Sequence, residues 1–198
     1  MKPSSLAIRA LLLDKHIRIF TTRELGSLVG LSSRLSTYYL NKGLKEGLFL
    51  KLKNGLYALK TDKPGEGMIA NALYRPSYVS MEYALAYYSI IPEMVYTVTS
   101  VTTKPTREFG VGSIAFSYMT IKREAYTGYQ LVETDEEKYT IADPEKALAD
   151  YLYFVSLGKK TLNDRLNVHE VKRDKLKQYA ELFGRSRIMR LVEEIYDQ

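Results

Sequence analysis

Residues 21–60 read TTRELGSLVGLSSRLSTYYLNKGLKEGLFLKLKNGLYALK, and the fold class turns on this stretch. Thr21 or Thr22 is placed to cap a short helix, Arg23 to Val29, because a threonine oxygen accepts from the unpaired N–H groups of a first turn. Glu24 lies near the positive end of that helix. Gly30 supplies a left-handed residue that closes it. Ser32 or Ser33 then caps another helix, which carries Leu35, Tyr39, Leu40 and Leu44 at i, i+4, i+5 and i+9. Two short helices joined at a glycine predict a helix-turn-helix. After Gly47 the period shortens: Leu48 to Lys53 and Leu56 to Lys60 flank Asn54-Gly55, a pair suited to the two positive-φ positions of a type I′ turn. An antiparallel hairpin is expected there, with Lys51, Lys53 and Lys60 along or near it, forming the wing of a winged helix.

Working outward, Ser4 or Ser5 caps a first helix ending near His16, with Leu6, Leu11, Leu12 and Leu13 as its apolar side. Ile17 to Phe20 is a short alternating stretch. Charge falls unevenly along the chain. Residues 1–63 hold 12 Lys and Arg against 4 Asp and Glu, a net +8, whereas residues 64–198 hold 17 against 19, a net −2. Clustered cations attract a polyanion, so the basic excess marks the N-terminal segment as the electrostatic footprint. A basic surface kept for solubility is the plainer account of the same charge.

The solvent side of the later helix is predicted to carry Ser33, Arg34, Thr37, Tyr38, Asn41 and Lys42, all able to reach bases or phosphates. Its first turns should lead into a major groove, with Arg34 as the best base reader, because a guanidinium donates two parallel bonds to guanine O6 and N7. Thr22 and Arg23 begin a helix whose amides suit a phosphate. Lys42, Lys51 and Lys53 are the expected phosphate neighbours, and Ser32 and Asn54 complete the predicted DNA-binding set. Each lysine alone also reads as a solvated charge, and Tyr38 as packing on the first helix.

Thr61 to Gly67 is polar, contains Pro64, Gly65 and Gly67, and falls where the charge balance changes. The expected division is therefore a winged helix-turn-helix over residues 1–62 and a mixed α/β domain over 68–198, an α+β chain. The second part reads as helices at Met68 to Tyr74 and Ser80 to Ile91, then strands at Val95 to Thr103 and Gly112 to Lys122, then a hairpin from Gln130 to Glu133 and Lys138 to Ile141. A helix follows, capped by Asp143 with Pro144 at its first position. Two more helices, broken at Gly184, fill Val168 to Tyr196. A small, mostly antiparallel sheet with C-terminal helices is the implied architecture.

Other chemistry finds little purchase. The chain has no cysteine and two histidines, which excludes disulfides and thiolate-ligated metals and leaves no cysteine nucleophile. Tyr83, Tyr87 and Tyr88 share one helical side with Ala and Leu, where core packing is favoured over base stacking. Gly110-Val111-Gly112 lacks the third glycine of a dinucleotide loop, and His169 stands alone. Asp143, Glu145 and Asp150 are the carboxylates that a magnesium-dependent nuclease would need to converge, yet Asp143-Pro144-Glu145 is also what a helix start requires. No secretory leader or membrane-length apolar run is visible, so a soluble, cytoplasmic, non-enzymatic protein without cofactor is expected.

Three segments, in this order, resemble the AbiEi family of antitoxin transcriptional regulators from type IV toxin–antitoxin and phage-defence pairs. They are the N-terminal region ending in Lys53-Asn54-Gly55-Leu56-Tyr57-Ala58-Leu59, then Pro76-Ser77-Tyr78-Val79-Ser80-Met81-Glu82-Tyr83-Ala84-Leu85, then Ile141 to Tyr151 with its Asp143-Pro144-Glu145-Lys146-Ala147 helix start. The resemblance implies a repressor that binds inverted repeats in its own promoter and counters a nucleotidyltransferase-like toxin. The expected partners are double-stranded DNA, a cognate toxin and a second copy of the chain, with no membrane. The competing readings are a DNA-targeting nuclease or other modifying enzyme built on Asp143, Glu145 and Asp150, and a winged-helix module that binds protein.

Overall fold

The computed structural model describes residues 3–134 and 136–197. The chain is α+β, with eight α-helices, a three-stranded antiparallel sheet and a six-stranded mixed sheet among the described residues. It divides into two compact units, Met1–Leu73 and Tyr74–Gln198.

In the first unit, α1 (Ser5–Asp14) is capped by Ser4, whose hydroxyl accepts from the Ala7 amide at 3.1 Å. It buries Ser5, Ile8 and Leu12. Leu6, expected on the apolar side, is 63% exposed; at 100° per residue it lies well off the Ile8–Leu12 line. The strand β1 (Ile19–Thr21) runs straight into α2 (Thr22–Val29). Thr21 and Glu24 form a reciprocal capping box, the Glu24 amide donating to Thr21 Oγ1 at 3.1 Å and the Thr21 amide to Glu24 Oε2 at 2.7 Å. Gly30 closes α2 at φ 67° and ψ 36°. Ser32 caps α3 (Ser33–Lys45).

The hairpin follows as β2 (Phe49–Lys53) and β3 (Leu56–Leu59), and β1 joins it in the order β1-β3-β2. Its turn differs from the expected type I′. Gly55 has φ 77°, but Asn54 is not among the non-glycine residues with positive φ, and the pairing shifts between Lys51↔Tyr57 and Lys53↔Leu56. One left-handed glycine beside a bulge replaces two positive-φ positions, an arrangement typical of a three-residue loop.

Ile8, Leu12, Phe20, Leu25, Tyr39, Leu40, Phe49 and Leu59 form the core of this unit. The rings of Phe20 and Phe49 meet edge to face at 5.4 Å. Two small residues set the position of α3. A Cβ at Gly26 would lie 2.8 Å from Ser36 Oγ, and one at Gly43 would lie 2.3 Å from two atoms of the Phe49 ring. Phe49 is buried and its ring meets Phe20, so it can yield only by disturbing the core. Gly43→Ala is expected to destabilise the unit by about 1–3 kcal/mol through overpacking, read as a lower unfolding midpoint in a urea titration of the full chain.

The segment after β3 is tied to the unit. Arg18 pairs with Asp62 at 2.8 Å and Arg9 donates to Thr61 Oγ1 at 2.8 Å. The helix α4 (Glu66–Leu73) buries Gly67, Ile69, Ala70 and Leu73, and Lys53 Nζ donates to the Leu73 carbonyl. The break between units therefore follows α4 instead of the Pro- and Gly-containing stretch before it.

The second unit contains β4 (Ser77–Val79), α5 (Met81–Tyr87), β5 (Thr97–Thr102), β6 (Arg107–Val111), β7 (Ile114–Thr120), a 3-10 turn at Arg123–Ala125, β8 (Tyr129–Glu133), β9 (Lys138–Ala142), α6 (Pro144–Ser156), α7 (Arg173–Glu181) and α8 (Ser186–Tyr196). Strand order is β6-β7-β5-β4-β9-β8. The pairs β4–β9 and β5–β7 are parallel and the other three antiparallel. The sheet is thus larger and more mixed than the sequence suggests, since β4 and β6 were not anticipated. Tyr87 also departs from the expected core position: α5 buries Met81, Ala84 and Leu85, and Tyr87 is 54% exposed.

The helix α6 is buried nearly all round, which is the behaviour of a helix at the centre of a unit. Asp143 caps it through the Lys146 amide at 2.8 Å, with Pro144 at its first position. Gly184, at φ 61°, separates α7 from α8 as expected.

Candidate nucleic-acid interface

The side chains of α3 sort cleanly by angle. Ser36, Tyr39, Leu40 and Gly43 are buried, while Ser33, Arg34, Thr37, Tyr38, Asn41, Lys42 and Lys45 are exposed. Arg34, Thr37, Tyr38, Asn41 and Lys45 fall at i, i+3, i+4, i+7 and i+11, so they form one stripe over three turns. Lys45 is not in the set expected from sequence, although its spacing of eleven from Arg34 and four from Asn41 puts it on the same exposed stripe. Leu35, which the apolar spacing puts in the core, is 40% exposed beside this stripe.

Several polar groups have fixed local roles. Ser32 Oγ accepts from the Leu35 amide at 3.5 Å, and Thr37 Oγ1 donates to the Ser33 carbonyl at 3.0 Å, which keeps its acceptor lone pairs outward. Lys42 stands 3.8 Å from Glu46, a solvated pair of little energy. Among the described residues, Arg23, Arg34, Lys45 and Lys51 enter no ion pair.

The remaining predicted residues are distributed over α2 and the hairpin. Thr22 is half-buried and Arg23 exposed at the start of α2. The capping box occupies the amides of Thr21 and Glu24, which leaves those of Thr22 and Arg23 for an external acceptor. On the hairpin, Lys51 and Asn54 are exposed, whereas Lys53 is half-buried with its ammonium on the Leu73 carbonyl. Of the two β2 lysines, Lys51 is the one presented to solvent.

Each of the three carboxylates of the nuclease reading is engaged by an ammonium group, Asp143 and Glu145 sharing Lys175 and Asp150 pairing with Lys146. Asp143 Oδ2 accepts from Tyr179 OH at 2.8 Å and Lys175 Nζ at 2.9 Å. Glu145 accepts from the Lys172 amide at 3.1 Å and Lys175 Nζ at 3.0 Å. Asp150 is fully buried, paired with Lys146 on the same helix, and accepts from Ser80 Oγ at 2.7 Å and Tyr78 OH at 3.1 Å. A divalent ion would have to displace two ammonium groups to reach them. Among the described residues no three His, Asp or Glu side chains cluster in a way that holds a metal.

These surroundings shift the titrations. Burial pushes the Asp150 carboxyl up, against the pull of Lys146 and the two hydroxyls, and burial with the Asp150 charge pushes the Tyr78 hydroxyl well up. For Glu145 burial acts upward but is outweighed by the Lys175 and Lys172 donors, so its carboxyl lies below the usual range. Burial and the hydrogen bond to Asp143 push Tyr179 up to about 12. A carboxylate depressed in the folded state contributes stability above its unfolded pKa and loses it as pH falls through the folded value. Thermal melts of the full chain are expected to fall toward acid, and Glu145→Gln to flatten that fall.

Comparison of the chain with protein-family models and with curated proteins found no match. No helix among the described residues is long and apolar enough to cross a membrane.

Proposed function

We propose that the chain is a DNA-binding transcriptional repressor of the AbiEi antitoxin type, with α2 and α3 as a helix-turn-helix and the β2–β3 hairpin as its wing. The observation that carries this reading is the α3 stripe of Arg34, Thr37, Tyr38, Asn41 and Lys45, exposed and with both cations outside any ion pair among the described residues. A major groove about 12 Å wide accepts one helix, and these residue types are the ones that read base edges or hold phosphates. The net +8 of residues 1–63 supplies the long-range attraction.

Within this reading Arg34 donates to guanine, Thr37 and Asn41 bond neighbouring base edges, and Lys45 and Lys51 neutralise phosphates. The Thr22 and Arg23 amides at the start of α2 take a phosphate oxygen. The operator is an inverted repeat occupied by two copies of the chain, and the C-terminal unit neutralises a nucleotidyltransferase-like toxin, both on the strength of the family resemblance. In the C-terminal unit that resemblance falls on the segments that meet at Asp150: Tyr78 and Ser80 on one side, Lys146 on the other. Their burial and mutual hydrogen bonds support a packing role in place of a catalytic one.

A gel shift of the full chain with the DNA upstream of its own gene tests the reading. Retention at low ionic strength, stronger than for an unrelated duplex of equal length, is the expected result. Retention of neither duplex favours the protein-binding module instead.

A further inference from the structure

Two large apolar side chains stand in solvent on α3, Tyr38 at 58% and Leu35 at 40% exposure. They are three residues apart and therefore neighbours on one flank of the helix. The Tyr38 ring is steadied by an edge contact with the buried Tyr39 ring, centroids 5.2 Å apart and planes at 80°. Beyond this one edge contact with a core ring, most of the Tyr38 side chain faces solvent. The rest of the exposed α3 surface is polar or cationic: Ser33, Arg34, Thr37, Asn41, Lys42 and Lys45.

A small apolar pair framed by cations suits a ligand that offers isolated methyl groups within an anionic groove. Thymine in the major groove is that ligand, since its C5-methyl projects beside the base edges and between phosphates. A protein partner would call for a larger contiguous apolar surface than two side chains among six polar neighbours. We infer that Leu35 and Tyr38 read thymine methyl groups by apolar contact, so that the operator is recognised partly through groups that form no hydrogen bonds. This inference rests on the DNA-binding reading and names the base chemistry that α3 selects.

The test uses the full chain and a duplex enriched from a random-sequence library by binding to it. Affinity is compared between that duplex and the same sequence with deoxyuridine in place of thymidine, which removes the methyl and keeps the O4 acceptor and the pairing. Wild type is expected to bind the uridine duplex about fourfold more weakly for each contacted methyl, the value of burying one methylene-sized group. Leu35→Ser with Tyr38→Ser is expected to bind both duplexes equally. Tyr38→Phe should retain the discrimination, because the ring and not its hydroxyl makes the contact. Equal wild-type affinity for the two duplexes overturns the inference and leaves DNA binding intact, as does full discrimination by the double serine variant. Failure of any duplex to be enriched at low ionic strength removes the DNA-binding reading itself. Both side chains are exposed, and matching circular dichroism melts will confirm that the variants fold.

Discussion

Replacing Lys146 with methionine is expected to lower the stability of the C-terminal unit by about 3–5 kcal/mol, the usual cost of leaving a buried charge without its partner. Lys146 and Asp150 are both fully buried on α6, and the Lys146 ammonium also lies 4.8 Å from the centre of the Phe183 ring. Without the ammonium, Asp150 keeps only the Ser80 and Tyr78 hydroxyls, too little to hold an ionised carboxylate away from water. The Asp150 pKa, already pushed up by burial, rises further in this variant. A folded-state carboxyl pKa above the unfolded one means the folded state binds the proton more tightly, so the deficit shrinks as pH falls and is full at neutral pH. Lys146→Met combined with Asp150→Asn, which retains an acceptor for both hydroxyls, is expected to recover more than half of the loss. Urea titration followed by tyrosine fluorescence is a suitable readout, the chain having 17 tyrosines and no tryptophan. An unchanged midpoint in the single variant would contradict the assigned role of the pair.

On DNA, Arg34→Ala and Lys45→Ala are expected to separate base reading from phosphate contact. Removing a guanidinium that holds guanine costs about 1–3 kcal/mol, and the loss falls mainly on the cognate duplex, so the ratio of cognate to unrelated affinity collapses. Removing a phosphate-neutralising ammonium weakens both duplexes alike and reduces the slope of log affinity against log salt by about 0.9. Competition binding of the two variants against both duplexes distinguishes these patterns. If Arg34→Ala weakens both duplexes equally, Arg34 is a phosphate contact.

The local elements of the N-terminal unit were legible because each carries its own chemistry. Thr21 with Glu24 announces a helix start, Gly30 a helix end, and Asn54-Gly55 a tight turn. What failed there depended on packing. Apolar spacing places Leu35 in the core, whereas α3 buries Tyr39 and Leu40 together with Ser36 and Gly43, small residues that let α2 and Phe49 approach. The same error hid Lys45, which lies opposite Gly43 on the exposed stripe.

The C-terminal sheet was harder to read for a different reason. β4 is three residues long and owes its existence to neighbours on both sides, β5 antiparallel and β9 parallel. β6 is a sheet-edge strand with mostly exposed residues, Arg107-Glu108-Phe109-Gly110-Val111, so it lacks the apolar alternation of a buried strand. Lys146 and Asp150 look like an ordinary surface pair at i, i+4. Only the apolar residues between and after them, Ala147, Leu148, Ala149, Tyr151 and Leu152, hint that the whole helix is enclosed. The carboxylates of the nuclease reading are legible as residues, but apart from Lys146 their ammonium and hydroxyl partners, Lys175, Tyr179, Tyr78 and Ser80, come from distant parts of the chain.

The central claim is that the exposed stripe of α3 meets duplex DNA in a cationic interface, and a salt titration of binding by the full chain tests it most directly. With ~6 phosphate contacts, log affinity for duplex should fall against log salt with a slope near −5. A flat dependence, or no retained duplex even at low ionic strength, would contradict it.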